Sequence, residues 1–446
     1  MSRPTAASLR AREPQNTANL HPRVPTTLEQ AGLSQDLVTQ LILKLLHFGA
    51  DQTGSEISRR LGLEFSVIEP ALEFLKRSHQ CEVFGGVVGG PTFTYRITDA
   101  GRRRALLFLE QSQYFGVAPV PLAQYRAYME AYRSNLVPNV TRDNVRQAFS
   151  HLVISDKVLD QLGPAIAAGH SMFVYGPPGN GKTVIAQAIR NLMDGEIAIP
   201  HAIEVEGQII RMFDPVNHEP LPQAAPTQAS WVRGEGGDAR WVRCKRPMVM
   251  VGGELTLQAL ELAYSPTTGF YNAPVQAMAN GGVLVIDDFG RQQCSPRELL
   301  NRWIVPLESR VDFLTLQTGQ KFDLPFMVLV IFATNIKPAE LVDEAFLRRI
   351  HYKVFAESPT PADFERIFRD YCARKGLEFD RTLTDHLIAN YFRPRGISLR
   401  GCLPRDLIEQ ALAHAEYVGA PRELTIELLE AACAGYFVDD TENARA

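Results

Sequence analysis

The run Gly176-Pro177-Pro178-Gly179-Asn180-Gly181-Lys182-Thr183 fits the spacing G-x-x-x-x-G-K-[ST]. In that spacing glycines let backbone amides curl around phosphate, while a lysine and a hydroxyl stand at fixed reach from it. The apolar stretch Ser171 to Tyr175 leads into the run, and the helical pattern of Val184, Ile185, Ala188, Ile189 and Leu192 follows at once. Strand, tight turn and helix N-terminus in that order put positive potential on the turn; a chance glycine-rich loop would lack both flanks. The chemistry indicated is nucleotide binding, with Lys182 reaching the β- and γ-phosphates and Thr183 placing its hydroxyl on Mg2+. Further along, Gly282-Val283-Leu284-Val285-Ile286-Asp287-Asp288 ends an apolar strand in two carboxylates. At the carboxyl edge of a buried sheet these acids face the phosphate crevice. Asp287 is then the Mg2+ ligand, and Asp288 orients or deprotonates the attacking water.

Elements that would hold these groups can be read on both sides. From about 140 to 355, buried-type strands (Met172 to Tyr175, Val283 to Ile286, Met327 to Phe332) alternate with helical segments, the pattern of a parallel sheet covered by helices. Residues 356 to 435 keep helical periodicity throughout. Ahead of the sheet come short elements: a helix from Ser34 to Phe48, and two helices opened by the capping boxes Thr53-x-x-Glu56 and Ser66-x-x-Glu69. Strands at Cys81 to Phe84 and Thr92 to Ile97 are joined by the glycine-rich turn 85–90, and another helix starts at Thr98. That order is the order of a winged helix-turn-helix, and Tyr95 to Arg102 resembles the end of the wing in bacterial winged-helix regulators.

With a Walker A run GPPGNGKT, a Walker B run LVIDD, and the strand Val328 to Phe332 ending in Ala333-Thr334-Asn335, the chain resembles an AAA+ ATPase. The resemblance covers about residues 140 to 435. It implies ATP and Mg2+ as cofactors and a homo-oligomeric ring, with a hexamer expected. By the same resemblance, Gly176, Pro177, Pro178, Gly179, Asn180, Gly181, Lys182 and Thr183 bind the nucleotide, while Thr183 and Asp287 hold the metal. Asn335 matches sensor 1, which helps position the lytic water. Asp343-Glu344-Ala345-Phe346-Leu347-Arg348-Arg349-Ile350 resembles the segment carrying the arginine finger, with Arg349 preferred over Arg348. Leu403-Pro404-Arg405-Asp406-Leu407 resembles sensor 2, so that Arg405 contacts phosphate. One departure stands out: most relatives end Walker B in Asp-Glu, whereas the second acid here is Asp288, whose shorter side chain implies modest turnover.

The expected architecture is therefore α/β: a P-loop NTPase parallel sheet of the AAA+ kind at 140–355 and a helical lid at 356–436, preceded by a small α+β winged-helix domain at 26–115. A disordered leader (1–25), a linker with Pro119, Pro121 and Pro138 (116–139), and a flexible tail (437–446) complete the division. Arg310 to Thr318 and Lys321 to Leu324 read as a hairpin before the sensor strand. This resembles the pre-sensor-1 hairpin superclade with its MoxR-type chaperone ATPases; the GAFTGA loop of enhancer-binding activators is absent. About eighty residues separate the P-loop helix from Walker B, including Asp214 to His218 and the Pro/Gln/Ala-rich stretch Leu221 to Ser230, read as a mobile surface loop. In Thr268-Gly269-Phe270-Tyr271-Asn272, Phe270 and Tyr271 are either a substrate-gripping pore loop or plain core.

Bulk properties limit the partners. The 446 residues are 45% hydrophobic with a net charge of -4, which gives no global attraction to nucleic acid or an anionic membrane. Six scattered cysteines without a CxxC pair suit reduced thiols in a cytoplasmic protein. The longest apolar runs fall far short of the ~20 residues of a membrane span. Residues 26–112 hold nine Lys or Arg against ten Asp or Glu, and the reader-helix position Phe65 to Arg77 offers Glu69 and Glu73 where base-reading side chains would stand. Two readings follow: a remodelling or chaperone-like ATPase acting on a protein client, and a DNA-bound ATPase using the winged helix, with Arg59-Arg60 and Arg102-Arg103-Arg104 on phosphates. Protein docking is the one preferred.

Overall fold

The structure, a computed structural model, describes residues 21–49, 51–85, 90–133, 140–193, 195–222 and 237–437. Its centre is a five-stranded sheet, parallel throughout, in the order Met248–Val251, Val283–Ile286, Leu329–Thr334, Met172–Tyr175, Tyr352–Phe355. Every residue of Val283–Ile286 and of Leu329–Thr334 is buried, because helices cover both faces. Alternation along each strand divides the core. Met172, Val174, Val283, Val285 and Ile331 meet Ile185 and Ile189 of the P-loop helix Lys182–Leu192 on one face. Phe173, Leu284, Ile286 and Phe332 meet Phe289, Leu300 and Trp303 on the other. The sheet is thus α/β as expected, and the strand holding the P-loop lies between two neighbours that come later in the chain.

The expected hairpin is present, with Val311–Thr315 paired antiparallel to Lys321–Pro325. The C-terminal part consists of the helices Pro361–Lys375, Arg381–His386, Leu403–Val418 and Ile426–Tyr436 with a π-helical turn at Leu387–Phe392, packed around Phe364, Phe368, Phe392 and Leu407. Residues 393–402, read as helical, form instead the connection that reaches back to the P-loop. Phe437, assigned to the tail, packs its ring on Tyr391 and Phe392; the rest of the tail lies outside the described residues.

The residues on either side of the stretch read as a mobile loop are folded. Glu196–Pro200 and Trp241–Lys245 pair antiparallel. A second five-stranded sheet runs Ala263–Ser265, Phe270–Asn272, Gln208–Arg211, Ala202–Val205, Val120–Pro121. Within the Asp214 to His218 turn, His218 is buried, its Nδ1 accepting from the Asp214 amide and its Nε2 lying 2.8 Å from the Met278 carbonyl. Residues 223–230 of the stretch lie outside the described residues. The linker is folded as well: Val120–Pro121 is an edge strand, and the helix Leu122–Tyr132 lays Tyr125 and Tyr128 against Trp241. Aromatic side chains that a linker would leave in water here make an apolar core. Pro138 lies outside the described residues.

N-terminally, the helices Gln35–Phe48, Gly54–Leu61, Phe65–Arg77 and Asp99–Gln111 pack on a small antiparallel sheet, Gln52–Thr53, Thr94–Ile97, Cys81–Gly85. The Thr53/Glu56 capping box forms with both of its hydrogen bonds. The Ser66 box does not: the N-cap is Glu64, without a side-chain cap, and the Ser66 hydroxyl donates to the Thr26 carbonyl. The leader ends in contact too, since the Pro22 carbonyl accepts from the Asp238 amide at 3.0 Å; residues 1–20 lie outside the described residues. The N-terminal unit is fastened to the segment 196–272 by Arg240, whose guanidinium is held in a buried local ion pair. Arg240 and Asp238, each with a 2% exposed side chain, meet at 2.8 Å. Arg240 also donates to the Ala31 carbonyl and to Gln124 Oε1. No helix of the described residues is long and apolar enough to cross a membrane.

Candidate nucleotide site

The P-loop leaves its strand through Gly176 (φ 152°), Gly179 (φ 80°) and Gly181 (φ 72°), a left-handed path that only glycine follows without strain. Gly181 is the N-cap of the P-loop helix, and with no side chain it leaves the first helical amides uncapped for an anion. Lys182 is buried, and its Nζ donates to the Gly176 and Pro177 carbonyls at 3.1 and 2.9 Å. Burial pulls its pKa below the usual lysine value, against the opposing pull of Asp288 and Asp287.

Across the crevice Thr183 Oγ1 donates to Asp287 Oδ2 at 2.8 Å. The two groups expected to share a metal are therefore within one hydrogen bond of each other. Asp287 is fixed through its amide, bonded to the Val251 carbonyl of the neighbouring strand, and its Oδ1 accepts from the Asp288 amide. Asp288 is exposed and adopts a left-handed φ of 48°, a conformation aspartate tolerates better than most residues. Asn335 Nδ2 donates to Asp288 Oδ1 at 3.1 Å, and the Asn335 amide oxygen is buried without a partner among the described residues. The sensor strand and the acidic strand are stitched beyond their ladder by Phe289 N to Ala333 O and by Thr334 Oγ1 to Phe289 O. Lys182, Thr183, Asp287, Asp288 and Asn335 thus converge on one crevice.

Two features escaped the sequence reading. Gln292 donates through Nε2 to the Asp287 carbonyl at 2.9 Å and to the Asp288 carbonyl at 3.2 Å, while its Oε1 accepts from Gly290 N. It clamps the turn that carries both acids. The helical part also touches the P-loop, through the Arg400–Cys402 connection. Cys402 N donates to Gly179 O at 2.8 Å, and Gly401 N approaches Asn180 Oδ1 at 3.4 Å. Asn180 is held from the other side by Ser358 Oγ at 3.2 Å.

Arg405 is not among the residues that meet the P-loop. It turns to Asp406 at 2.8 Å with a 60% exposed side chain. Both Arg348 and Arg349 sit on the helix Glu344–Arg349, apart from the residues of the crevice. Arg349, preferred from sequence, is occupied by Glu308 at 2.5 Å and lies over the Phe346 ring, whereas Arg348 is exposed. Phe270 and Tyr271 are strand residues. Tyr271 is buried, its hydroxyl accepting from Gln317 N, and Phe270 packs edge-on against Tyr114. Core packing, not a pore loop, describes both.

Residues 153–220, which include the P-loop, match the family described as magnesium chelatase, subunit ChlI. Residues 360–435, the helical part, match a domain of unknown function, DUF8689. No curated protein matches the chain. Among solved structures, it is similar to the Holliday junction branch migration motor RuvB of Thermotoga maritima, at 14% identity over 69% of this chain and 74% of that one, TM-score 0.37. It is also similar to NtrX of Brucella abortus, at 14% identity over 77% and 64%, TM-score 0.39. A third is a complex of the magnesium chelatase subunits BchI and BchD, at 18% identity over 66% and 98%, TM-score 0.35. In fold the chain is an α/β protein with a parallel five-stranded sheet and a glycine-rich P-loop, followed by a helical part.

Proposed function

We propose that the chain binds ATP with Mg2+ in this crevice and hydrolyses it. The observation that carries the reading is the convergence of Thr183 on Asp287 and of Asn335 on Asp288, two polar pairs on three separate elements beside an uncapped glycine turn. The residues fit a nucleotide and a divalent cation. Left-handed glycines curl the turn, Lys182 is held over it on backbone carbonyls, and Thr183 and Asp287 are already within bonding distance of one another. Mg2+ held by Thr183 and Asp287 would neutralise charge on the β- and γ-phosphate oxygens. Lys182 binds phosphate, and its desolvated position strengthens that contact. Asp288, held by Asn335 and by the Gln292 clamp, orients a water for attack and accepts its proton.

Ring assembly belongs to the same reading. Arg348, exposed beside the fully engaged Arg349, is the better finger for a neighbouring subunit's site. The N-terminal unit, a helix-rich fold with a small antiparallel sheet, is read as a winged helix that docks a protein client. Its exposed Phe74, Val83 and Phe84 favour apolar contact over phosphate contact. The testing experiment pairs Lys182→Ala with Asp288→Asn. The first should abolish ATP binding, and the second should retain binding while turnover stops. Parental ATP affinity in the lysine variant would remove the assignment of the P-loop.

A further inference from the structure

The five core strands are parallel, so the residues just before them share the edge of the sheet opposite the P-loop. Gly169 and His170 precede the P-loop strand, Gly282 the acidic strand, and Met327 and Val328 the sensor strand. A cavity of about 210 Å3 opens there, and two arginines line it, Arg133 and Arg310, together with His170. Among the described residues no aspartate or glutamate lines it.

Arg310 is set for this position by its backbone. It caps the helix Ile304–Ser309 in a left-handed conformation, φ 58°. Its guanidinium donates to the Val328 carbonyl at 3.1 Å and the Gly169 carbonyl at 2.9 Å, and lies 3.4 Å from His170 Nδ1. All of these partners are neutral groups. Burial lowers the Arg310 pKa, and the charge of Arg133 lowers it further. His170 is lowered by burial, by Arg310 and by His351, whose ring lies 4.9 Å away. The carboxylate near Arg133 is Glu130, one turn back on its own helix at 3.2 Å, with both side chains in water. Among the described residues the largely buried Arg310 guanidinium thus has only neutral partners, and the exposed Arg133 adds positive charge beside it, an arrangement whose cost an anion lowers.

We propose that this cavity is a binding site for a phosphate-sized oxyanion, held by the guanidinium groups of Arg133 and Arg310 with His170 as a third donor. Guanidinium groups match the oxygens of phosphate in pairs, and apolar walls from Ile166, Met193 and Met327 strengthen each contact by excluding water. The Arg310 N–H at His170 Nδ1 leaves the ring proton on Nε2, the nitrogen available to donate. An occupied site would pin Arg310, and through it the entry to both the P-loop strand and the sensor strand.

The test uses the full chain carrying Lys182→Ala, which weakens phosphate contact at the P-loop, and titrates inorganic phosphate by calorimetry. Adding Arg133→Ala, an exposed change that leaves the core intact, should weaken phosphate binding on the order of tenfold or more. Arg310→Gly accepts the left-handed φ, removes the guanidinium and should abolish the binding. Selenate soaked into crystals should give anomalous density between Arg133 and Arg310. Three results would overturn the proposal: no phosphate binding by the Lys182→Ala protein, an affinity unmoved by Arg133→Ala, or selenate confined to the P-loop. If Arg310→Gly does not fold, the Arg133→Ala titration and the soak still decide.

Discussion

The amide of Cys402 donates to the carbonyl of Gly179 at 2.8 Å, and the Cys402 sulfur stands 2.5 Å from where a Cβ on Gly179 would lie. The helical part is therefore in van der Waals contact with the glycine-rich turn, at a position where the turn has no room for a side chain. Arg400 flanks the same glycine, its Cβ and Cδ each 3.6 Å from that Cβ position.

Gly179→Ala should for this reason act on both partners. A left-handed alanine costs about 1–2 kcal/mol, and the methyl must displace the thiol. Nucleotide affinity is expected to fall at least tenfold, with faster amide exchange along Leu403–Val418. Adding Cys402→Gly should restore part of the affinity. A single variant that binds ATP as the parent does would mean the contact is not needed for binding.

Arg348→Ala should lower turnover by about 10^3–10^5, the range known for trans arginine fingers, with ATP affinity little changed. Arg349→Ala removes a partly exposed pair with Glu308 and is expected to shift stability by about 1 kcal/mol or less. Mixing Arg348→Ala with Lys182→Ala protein should regain activity, since one variant's P-loop meets the other's arginine. Parental turnover in Arg348→Ala, or specific activity flat on dilution, counts against a shared site.

Gln292→Ala should leave ATP binding intact and cut turnover roughly tenfold or more, because the turn that aims Asp287 and Asp288 loses its clamp. Gln292→Glu is a sharper probe: it keeps the size but sets a carboxylate against two carbonyls. Nucleotide affinity and single-turnover rate, measured side by side, separate this role from a purely structural one, which would lower both.

Lys44 gives a pH dependence with a definite sign. It is buried in the N-terminal core, donates to the Tyr114 carbonyl at 3.2 Å, and burial pushes its pKa down to about 8. The unfolded chain keeps the proton up to the ordinary lysine value. Between about pH 8 and 10.5 the unfolded state therefore holds this proton when the folded state does not, and the contribution of Lys44 to stability rises with pH over that window. Lys44→Met should flatten the rise and stabilise the protein at pH 7 by about 1–3 kcal/mol. Denaturant midpoints at pH 7.0 and 9.5, compared between parent and variant, check it.

What was legible in the sequence is what is local. The P-loop, the acidic strand and the Thr53 capping box each lie in a short window whose residue types determine the backbone, and the parallel strands announce themselves as apolar runs. Gln292 was not legible because a glutamine after a turn carries no periodic or motif signal; its role exists only once that turn folds back. Cys402 meets Gly179 across more than two hundred residues of chain. Ser66 failed for a related reason, since its hydroxyl has a partner in Thr26 that no local pattern registers. Phe270 and Tyr271 sit in a sheet whose other strands come from Gln208–Arg211 and even from Val120–Pro121, so the two aromatics read equally well as a loop until that pairing is known.

The Asp238–Arg240 pair has a mechanical consequence. A guanidinium that grips Ala31, Gln124 and Asp238 at once bolts the N-terminal unit, the helix beneath it and the segment 196–272 into one stiff frame. Removing Asp238 would leave that buried guanidinium unpaired at a cost of about 3–5 kcal/mol, so the local pair holds Arg240 in the place from which it reaches Ala31 and Gln124. Any tilt of the strand Trp241–Lys245 is passed to the N-terminal helices as displacement without slack, which makes that unit a rigid arm and not a leash.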